Sequence, residues 1–401
     1  MSAALDLKQR PTIRLRPKAQ KRLLNGYPWV FSNEIEVNAE TKQLAAGIVV
    51  RIEAHDGQPL GTAIYNRQPL ISARLLSSSA KTIIDEDFFV GLLKRALTLR
   101  ETLFDVPYYR LIHAEADGLP GTIIDRYGDT LVLQVNTAGI ENLLPALLSA
   151  LDIVLDPKTV VLRNDTPSRL LEGLECYDKV TKGELNGPIK VIEHGATFFA
   201  ELQEGQKTGW FFDQRDNRKL AASFANNARV LDCYSFAGGF TVQSALAGAK
   251  SVMTVDRSQT ALDLASMAAK ENGVADKCEF IKAEVFTHLA KLAKENQTFD
   301  LVIVDPPAFV KSRKDLPQGS KGYRKLARLA AQLVKPGGYL VAASCSHHMD
   351  IDNFSEQMRK GLLDANRRSR LLFTRGAGPD HPVHPFLPES EYLKLQLYTL
   401  D

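Results

Sequence analysis

Two short motifs hold the residue types best suited to chemistry, Asp305-Pro306-Pro307-Ala308-Phe309 and Ser344-Cys345-Ser346. Each follows an apolar run, residues 301–304 and 339–343, with the length and content of a buried parallel strand. Functional groups of open α/β sheets gather where strands end, so one acid and one thiol are expected at the same rim. That pair suits methylation of a pyrimidine carbon. C5 of cytosine is a poor nucleophile until a thiolate adds to C6, breaks the aromaticity and makes C5 enamine-like. C5 then takes a methyl group, and loss of its proton with β-elimination releases the thiol. The addition needs a nucleophilic thiol and a group that hydrogen-bonds or protonates N3. Cys345 is the candidate nucleophile and Asp305 the candidate partner for N3. A free thiol has a pKa of about 8.5 and needs local activation to act near neutral pH. His347 and His348 adjoin Cys345 and are read as structural or RNA-contacting residues rather than its activators.

Two competing readings stand beside this one. Free cysteines are commonly buried packing residues, and a strand-end Cys345 could be no more than that; the acid motif and the glycine loop described below weigh against it. An Asp-Pro-Pro-aromatic motif also serves methylation of exocyclic amines, where the acid and a proline carbonyl, here Pro306, hold the amino group. Ala308 stands where that motif usually has an aromatic residue, and Phe309 follows, placed to stack on a flipped base. The amine reading needs no cysteine, so Cys345 discriminates. Of the other cysteines, Cys233 sits inside the glycine loop described below and Cys278 in or beside a predicted strand, and both are read as packing residues. Cys176 has no informative context.

The elements that must position these motifs are legible as a strand–helix alternation from about residue 188 onward. Strands are predicted at 229–232, 251–256, 278–281, 301–304 and 339–343, and helices at 258–272, 285–295 and 322–334. This is the pattern of a doubly wound α/β sheet. Before it, residues 47–52, 60–65 and 71–76 read as short strands separated by turn signals, which suggests a small β-barrel. Residues 77–187 are mixed. Helical periodicity over 85–104 places Phe88, Phe89, Leu92, Leu93, Ala96 and Leu99 on one face, and the hairpin at 121–135 and the strand at 159–163 make this an α+β unit.

The segment Asp232-Cys233-Tyr234-Ser235-Phe236-Ala237-Gly238-Gly239-Phe240 ends the first strand of the alternating region and opens a helix. Gly238 and Gly239 let a ligand approach the backbone, and a helix N-terminus can receive a polar group. The spacing is not G-x-G-x-x-G, which disfavours a dinucleotide. Asp256 ends the next strand, well placed for a ribose diol. Together these features resemble class I S-adenosylmethionine-dependent methyltransferases. The resemblance implies that Asp232, Tyr234, Phe236, Gly238 and Gly239 line the methionine side, that Asp256 holds the ribose, and that Glu284 lies near the adenine. Asp is commoner than Glu at that last position. Lys335-Pro336-Gly337-Gly338, before the fifth strand, also matches the fold.

Composition sets the outer bounds. The 401 residues are 44% hydrophobic and 24% charged, ordinary for a globular protein of two or three domains. No apolar run reaches membrane-spanning length and the start of the chain lacks a signal-peptide pattern, so the expected compartment is cytoplasmic. The four cysteines form no CxxC pair and no histidine cluster completes a zinc pattern, so no metal is expected. A net charge of +3 is modest, but it is unevenly spread. One basic cluster is Lys8, Arg10, Arg14, Arg16, Lys18, Lys21 and Arg22. A second is Lys311, Arg313, Lys314, Lys321, Arg324, Lys325 and Arg328. Such clusters are either solvated faces or phosphate-binding patches. Lys311 and Arg313, next to the acid motif, are candidate RNA contacts with Pro306 and Phe309.

With both motifs in view, the chain resembles the RlmI family of 23S ribosomal RNA (cytosine-C5)-methyltransferases. Gln206-Lys207-Thr208-Gly209-Trp210-Phe211-Phe212-Asp213-Gln214-Arg215-Asp216-Asn217-Arg218 and Tyr27-Pro28-Trp29-Val30-Phe31-Ser32 are further matches. The resemblance spans nearly the whole chain. It implies a PUA-like RNA-binding barrel over 1–76, a central α+β domain of EEHEE type over 77–187, and a Rossmann-like S-adenosylmethionine-dependent methyltransferase domain over 188–401. It further implies that Asp305, Asp213, Arg215 and Asn217 contact the cofactor, and that the partner is 23S ribosomal RNA, naked or in an assembly intermediate. A non-catalytic RNA-binding assembly factor is the remaining alternative, and a homodimer is left open. Many RNA cytosine-C5 enzymes carry a second cysteine in the Asp-Pro motif, where this chain has Pro307 and Ala308. The group that removes the C5 proton is therefore unassigned.

Overall fold

The computed structural model describes residue 7, residues 10–202 and residues 209–401. Lys8 of the first basic cluster and residues 206–208 of the 206–218 match lie outside the described residues. The chain divides into two compact units. One holds the described residues up to Gly187 with Leu202, Gly209 and Asp380–Ser390; the other holds Pro188–Glu201, Trp210–Pro379 and Glu391–Asp401.

The first unit contains two five-stranded sheets. In the first, Thr12–Arg14, Ile48–Glu53, Pro59–Tyr65, Ile71–Ser77 and Trp29–Phe31 lie side by side in that order, and Thr12–Arg14 runs parallel to Ile48–Glu53. Alternating apolar residues fill its core, among them Ile13, Val30, Val50, Ile52 and Ala63. Part of the first basic cluster is structural: Arg10 is buried and donates to Thr62 Oγ1 at 2.9 Å, and Arg16 Nε donates to the Ile35 carbonyl at 3.2 Å.

The second sheet runs Tyr177–Lys182, Thr159–Asn164, Thr130–Val135, Thr122–Tyr127, Tyr108–His113. Helices Ala138–Asn142 and Leu144–Leu155 form the crossover between the parallel pair Thr130–Val135 and Thr159–Asn164. Three strands, the helical crossover and two strands therefore succeed one another, one strand more than a bare EEHEE order. Helix Glu86–Leu103 packs on it, capped by Asp85, whose carboxylate accepts the Phe88 N–H at 3.0 Å. Its buried face differs from the periodicity reading at one end: Leu99 is exposed and Arg100 is buried. Arg100 is turned inward because its guanidinium binds both oxygens of Asp117, at 2.8 and 2.6 Å, and donates to the Arg110 and Asp380 carbonyls.

The same contacts correct the contiguous range 188–401. Asp380–Ser390 packs with the first unit because buried Asp380 accepts from Arg100 and, through Oδ2, from the Arg110 backbone N–H at 3.0 Å.

The second unit is built on a seven-stranded sheet. Its strands are β1 (Arg229–Cys233), β2 (Ser251–Asp256), β3 (Cys278–Lys282), β4 (Phe299–Val304), β5 (Val334–Ser344), β6 (Ser369–Arg375) and β7 (Lys394–Leu400). They lie in the order β3-β2-β1-β4-β5-β7-β6, with β1 to β5 parallel and β7 antiparallel to both neighbours. The order reverses at β1, where β4 lies on the opposite side from β2, and ligands of open α/β sheets bind at such a switch point. Leu301, Val302, Ile303 and Val304 are essentially inaccessible. Burying each such side chain contributes about 1.5–3 kcal/mol, so the strand that delivers Asp305 is firmly held.

Helices α1 (Arg215–Ala222), α2 (Gly239–Leu246), α3 (Gln259–Glu271), α4 (Val285–Lys294), α5 (Leu316–Leu333) and α6 (Ile351–Asp364) accompany the sheet. A hairpin, Ile189–Glu193 with Ala196–Ala200, precedes α1. Helix α5 starts six residues before the predicted 322, with Pro317 in its first turn, where the missing N–H costs nothing. The Lys335-Pro336-Gly337-Gly338 turn lies inside the span of β5 rather than before it, as an irregularity in the β4–β5 register. Among the described residues no helix is long and apolar enough to cross a membrane.

Candidate active site

The loop after β1 is bent by backbone in the left-handed region at Tyr234 (φ 62°), Phe236 (φ 48°) and Gly238 (φ 78°). Gly238 is also required by space: a Cβ there would sit 2.7 Å from Ala265 Cβ, and one on Gly239 would sit 2.6 Å from Arg218 Cδ. The Tyr234 N–H donates to the Val255 carbonyl at 2.9 Å, tying the loop to β2. Asp256, at the end of β2, accepts the Phe236 N–H at 3.0 Å and the Ser258 N–H at 2.9 Å. The structure thus joins Asp232, Tyr234, Phe236, Gly238, Gly239 and Asp256 in one cradle.

Two buried oxygens fit this cradle to a polar ligand. Asp232 accepts from the Thr241 hydroxyl through Oδ2 at 2.6 Å, while its Oδ1 has no hydrogen-bond partner among the described residues, and neither has Ser235 Oγ. Such orphaned groups are costly unless a ligand or water satisfies them. Burial, with Asp256 nearby, pushes the Asp232 carboxyl up to about 7 against the pull of Thr241. A cationic, hydrogen-bond-donating ligand such as the methionine end of S-adenosylmethionine would satisfy these atoms.

Glu284 lies at the β3 end of the sheet, but its carboxylate is the N-cap of α4, accepting from Phe286 N–H, Thr287 N–H and the Thr287 hydroxyl at 3.2, 2.8 and 2.9 Å. Burial would raise it, yet the Thr287 and Phe286 bonds prevail and hold it below its usual range. The carboxylate is exposed and keeps acceptor capacity on Oε1 beyond its capping bonds.

The acid and thiol motifs meet at the ends of β4 and β5. Cys345 Sγ lies 3.9 Å from the Pro306 carbonyl oxygen. The flanking serines lock the two loops together: Ser346 Oγ accepts the Val310 N–H at 3.1 Å and pairs with the Tyr323 hydroxyl at 2.9 Å, and Ser344 Oγ donates to the same hydroxyl at 2.7 Å. Helix α5 can pass this close because it has glycine at 319 and 322, where a Cβ would lie 2.8 Å from the Phe309 carbonyl oxygen and 3.1 Å from the Phe309 ring, respectively. Phe309 is half-buried, its centroid 4.8 Å from Tyr323 and 6.0 Å from Phe286. Lys311 and Arg313 are exposed beyond it.

Asp305 is half-buried at the rim. Gln214 Nε2 donates to its Oδ2 at 2.8 Å, and Asn217 Nδ2 donates to Gln214 Oε1 at 2.7 Å and to the Gly376 carbonyl at 3.1 Å. Burial pushes Asp305 up to about 7, reinforced by the carboxylates of Asp213 and Asp232 and opposed by Arg218 and Gln214. Asp213 itself receives the Tyr392 hydroxyl at 2.5 Å. Asn217 thus supports Asp305 through Gln214, and the Asp213 carboxylate acts on Asp305 by its charge. Arg215 is buried, its guanidinium 5.5 Å over the Phe212 ring.

Several participants carried no recognisable signal. Glu193, on the hairpin, takes both ends of the Arg218 guanidinium at 2.6 and 2.7 Å and the Trp210 indole N–H at 3.1 Å, fixing the 210–218 segment against Gly239. Gln214 stood inside the quoted match without a role. Tyr323 reads in sequence as one more residue of a helix face. Among the remaining cysteines, burial raises the Cys233 thiol far up and the Cys278 thiol to about 11, which suits packing residues. A cavity of about 570 Å³ in the first unit, lined by Arg95, Glu115, Asp117, His384 and Phe386 among others, shares no residue with this site.

Comparison with known proteins adds independent evidence. A PUA-like domain profile matches residues 13–78 and an S-adenosylmethionine-dependent methyltransferase profile matches residues 176–362. The protein named Ribosomal RNA large subunit methyltransferase I of Shewanella denitrificans is 37% identical over 387 residues, 95% of this chain and 97% of its own. That of Photobacterium profundum is 38% identical over 380 residues, 94% and 96% of the two chains. A solved structure of a candidate S-adenosylmethionine-dependent methyltransferase from Streptococcus mutans covers 97% of this chain and 100% of that one, with TM-score 0.81 and 22% identity, and shares the fold.

Proposed function

The chain belongs to the ribosomal RNA large subunit methyltransferase I family and is an S-adenosylmethionine-dependent ribosomal RNA methyltransferase; from that premise we propose that it methylates C5 of one cytosine in 23S ribosomal RNA through a covalent Cys345 adduct. The observation that carries this reading is the closure of the Cys345 loop onto the acid motif, with Sγ beside the Pro306 carbonyl and Asp305 on the same rim.

Cys345 is the nucleophile. As thiolate it adds to C6, and Asp305, whose raised pKa keeps a protonated fraction near neutrality, donates to N3 as charge develops there. C5 becomes nucleophilic as a result. Bound S-adenosylmethionine supplies the electrophilic methyl group. Asp232 and the loop from Tyr234 to Gly239 hold its methionine end, and Asp256 its ribose. Loss of the C5 proton and β-elimination then return Cys345. Phe309, half-exposed beside the loop, offers a face to the flipped base, and Lys311 and Arg313 lie where phosphates can be met. The PUA-like domain supports RNA binding, and a compartment containing ribosomal precursors, the cytoplasm, follows from the substrate.

Nucleoside analysis of 23S ribosomal RNA methylated by the purified protein tests the reading. The expected product is 5-methylcytidine. N-methylated guanosine or adenosine would replace it with the exocyclic amine chemistry.

A further inference from the structure

The covalent reading carries one requirement: something must favour the Cys345 thiolate. The adjoining histidines follow Cys345 in sequence, and the His347 ring stacks on Tyr392, centroids 5.1 Å apart. A stronger candidate comes from the far end of the chain. Lys394 opens β7 and sits directly opposite Ser344 in the antiparallel β5–β7 register, one residue from Cys345. The residue is 5% exposed. Its Nζ donates to the Ser346 carbonyl at 2.7 Å and to the Tyr392 carbonyl at 2.6 Å, so the head group is folded against the residue that follows the thiol.

A buried ammonium is expensive unless an anion offsets it. Lys394 makes no ion pair among the described residues; both of its hydrogen bonds go to neutral carbonyls. The groups whose negative charge acts on it are, in order of strength, Cys345, Asp350 and Glu391. Asp350 is also the N-cap of α6, its carboxylate accepting from Asn353. Cys345 thus stands first as counter-charge.

We propose that Lys394 is a positioning residue for Cys345: anchored on the Ser346 and Tyr392 carbonyls, its ammonium is the fixed positive charge that favours the thiolate and holds the nucleophile loop against β7. This rests on Cys345 being the nucleophile. Burial lowers Lys394 to about 8 even with the Cys345 anion pulling against it. The coupling is reciprocal, because an anion that favours the ammonium is favoured by it to the same degree. Near neutral pH Lys394 keeps its proton through the cycle; the thiol proton leaves to solvent before RNA binds. The lysine therefore acts as a charge and an anchor, not as an acid or base.

The test reads thiol acidity directly. Full-length protein saturated with S-adenosylhomocysteine is alkylated with iodoacetamide from pH 5.5 to 9.5, and the rate at Cys345 is followed by peptide mass spectrometry. Wild type is expected to show an inflection at least about one unit below the 8.5 or so of a free thiol. Lys394→Met, which keeps the apolar stem, is expected to move it up by one unit or more and to lower kcat about tenfold or more. Lys394→Arg is expected to stay near wild type, with labelling of Cys176 unchanged in both. An unmoved inflection in Lys394→Met overturns the proposal. If that variant does not fold, a wild-type inflection at or above the free-thiol value overturns it equally. Loss of the nucleophile reading would look different: Cys345→Ala would keep methylating while the labelling profiles still depended on Lys394.

Discussion

The side-chain amide of Gln214 donates to Asp305 Oδ2 at 2.8 Å, and it is itself held by Asn217. A donor at that oxygen favours the carboxylate, while burial and the neighbouring Asp213 favour the acid. The balance leaves Asp305 near neutrality, where it can both donate to N3 and recover.

Replacing Gln214 by Glu substitutes a carboxylate for that donor. Two acids sharing one site disfavour ionisation of one of them, so the protonated form of Asp305 should persist to higher pH. In the wild type, kcat/KM should fall on the alkaline side as Asp305 ionises at about 7. In Gln214→Glu this limb should move up by about one unit or more. An alkaline limb that stays where it was would remove Asp305 as the proton-holding group.

Tyr323→Phe addresses the lock between the two loops. The hydroxyl takes a hydrogen bond from Ser344 and shares one with Ser346, all three being buried. Its loss leaves serine hydroxyls under-satisfied, at a cost of about 1–3 kcal/mol of stability. Misplacement of Cys345 should lower kcat by roughly tenfold or more, with S-adenosylmethionine affinity by calorimetry unchanged. A variant with wild-type kcat and stability would show that the hydroxyl network does not hold the nucleophile.

Much of this was legible in sequence because it is local. The parallel strands are short apolar-rich stretches, continuous in β4 and in residues 339–343 of β5, so their ends, and hence Asp232, Asp256, Asp305 and Cys345, could be placed from the pattern alone. What was not legible is non-local. The edge strands β6 and β7 and the Asp380–Ser390 crossing have no such pattern; β6 is exposed throughout. Lys394 becomes meaningful only once β7 is paired against β5. Glu193 pairs with Arg218 from a hairpin that was not foreseen. The burial of Arg100 is not readable from the helix pattern, because it depends on Asp117 opposite it. Glu284 and Asn217 carry a further duty that no pattern shows, capping α4 and holding Gln214.

The buried Asp232 makes a statement about stability. Its folded pKa, about 7, lies above the ordinary value of 3.8. The folded state therefore binds the proton more tightly, and the contribution is present below pH 4 and lost as pH rises toward 7. At about 1.36 kcal/mol per unit this is on the order of 4 kcal/mol for the cofactor-free protein. Asp232→Asn, which keeps an acceptor for Thr241, should raise Tm at pH 8 and flatten its fall between pH 4 and 8, while weakening cofactor binding. Identical Tm profiles for wild type and variant would contradict the assignment.

The central claim is that Cys345 forms a bond to the substrate base, and the most direct measurement is a covalent trap. Fluorine at C5 cannot leave as a proton does, so β-elimination is blocked after methyl transfer. Incubation with S-adenosylmethionine and 23S ribosomal RNA carrying 5-fluorocytosine should yield a denaturation-resistant protein–RNA complex whose cross-linked peptide contains Cys345. The complex should be absent in Cys345→Ala and retained in Cys176→Ala. A complex that persists in Cys345→Ala, or full methylation by that variant, would contradict the covalent role.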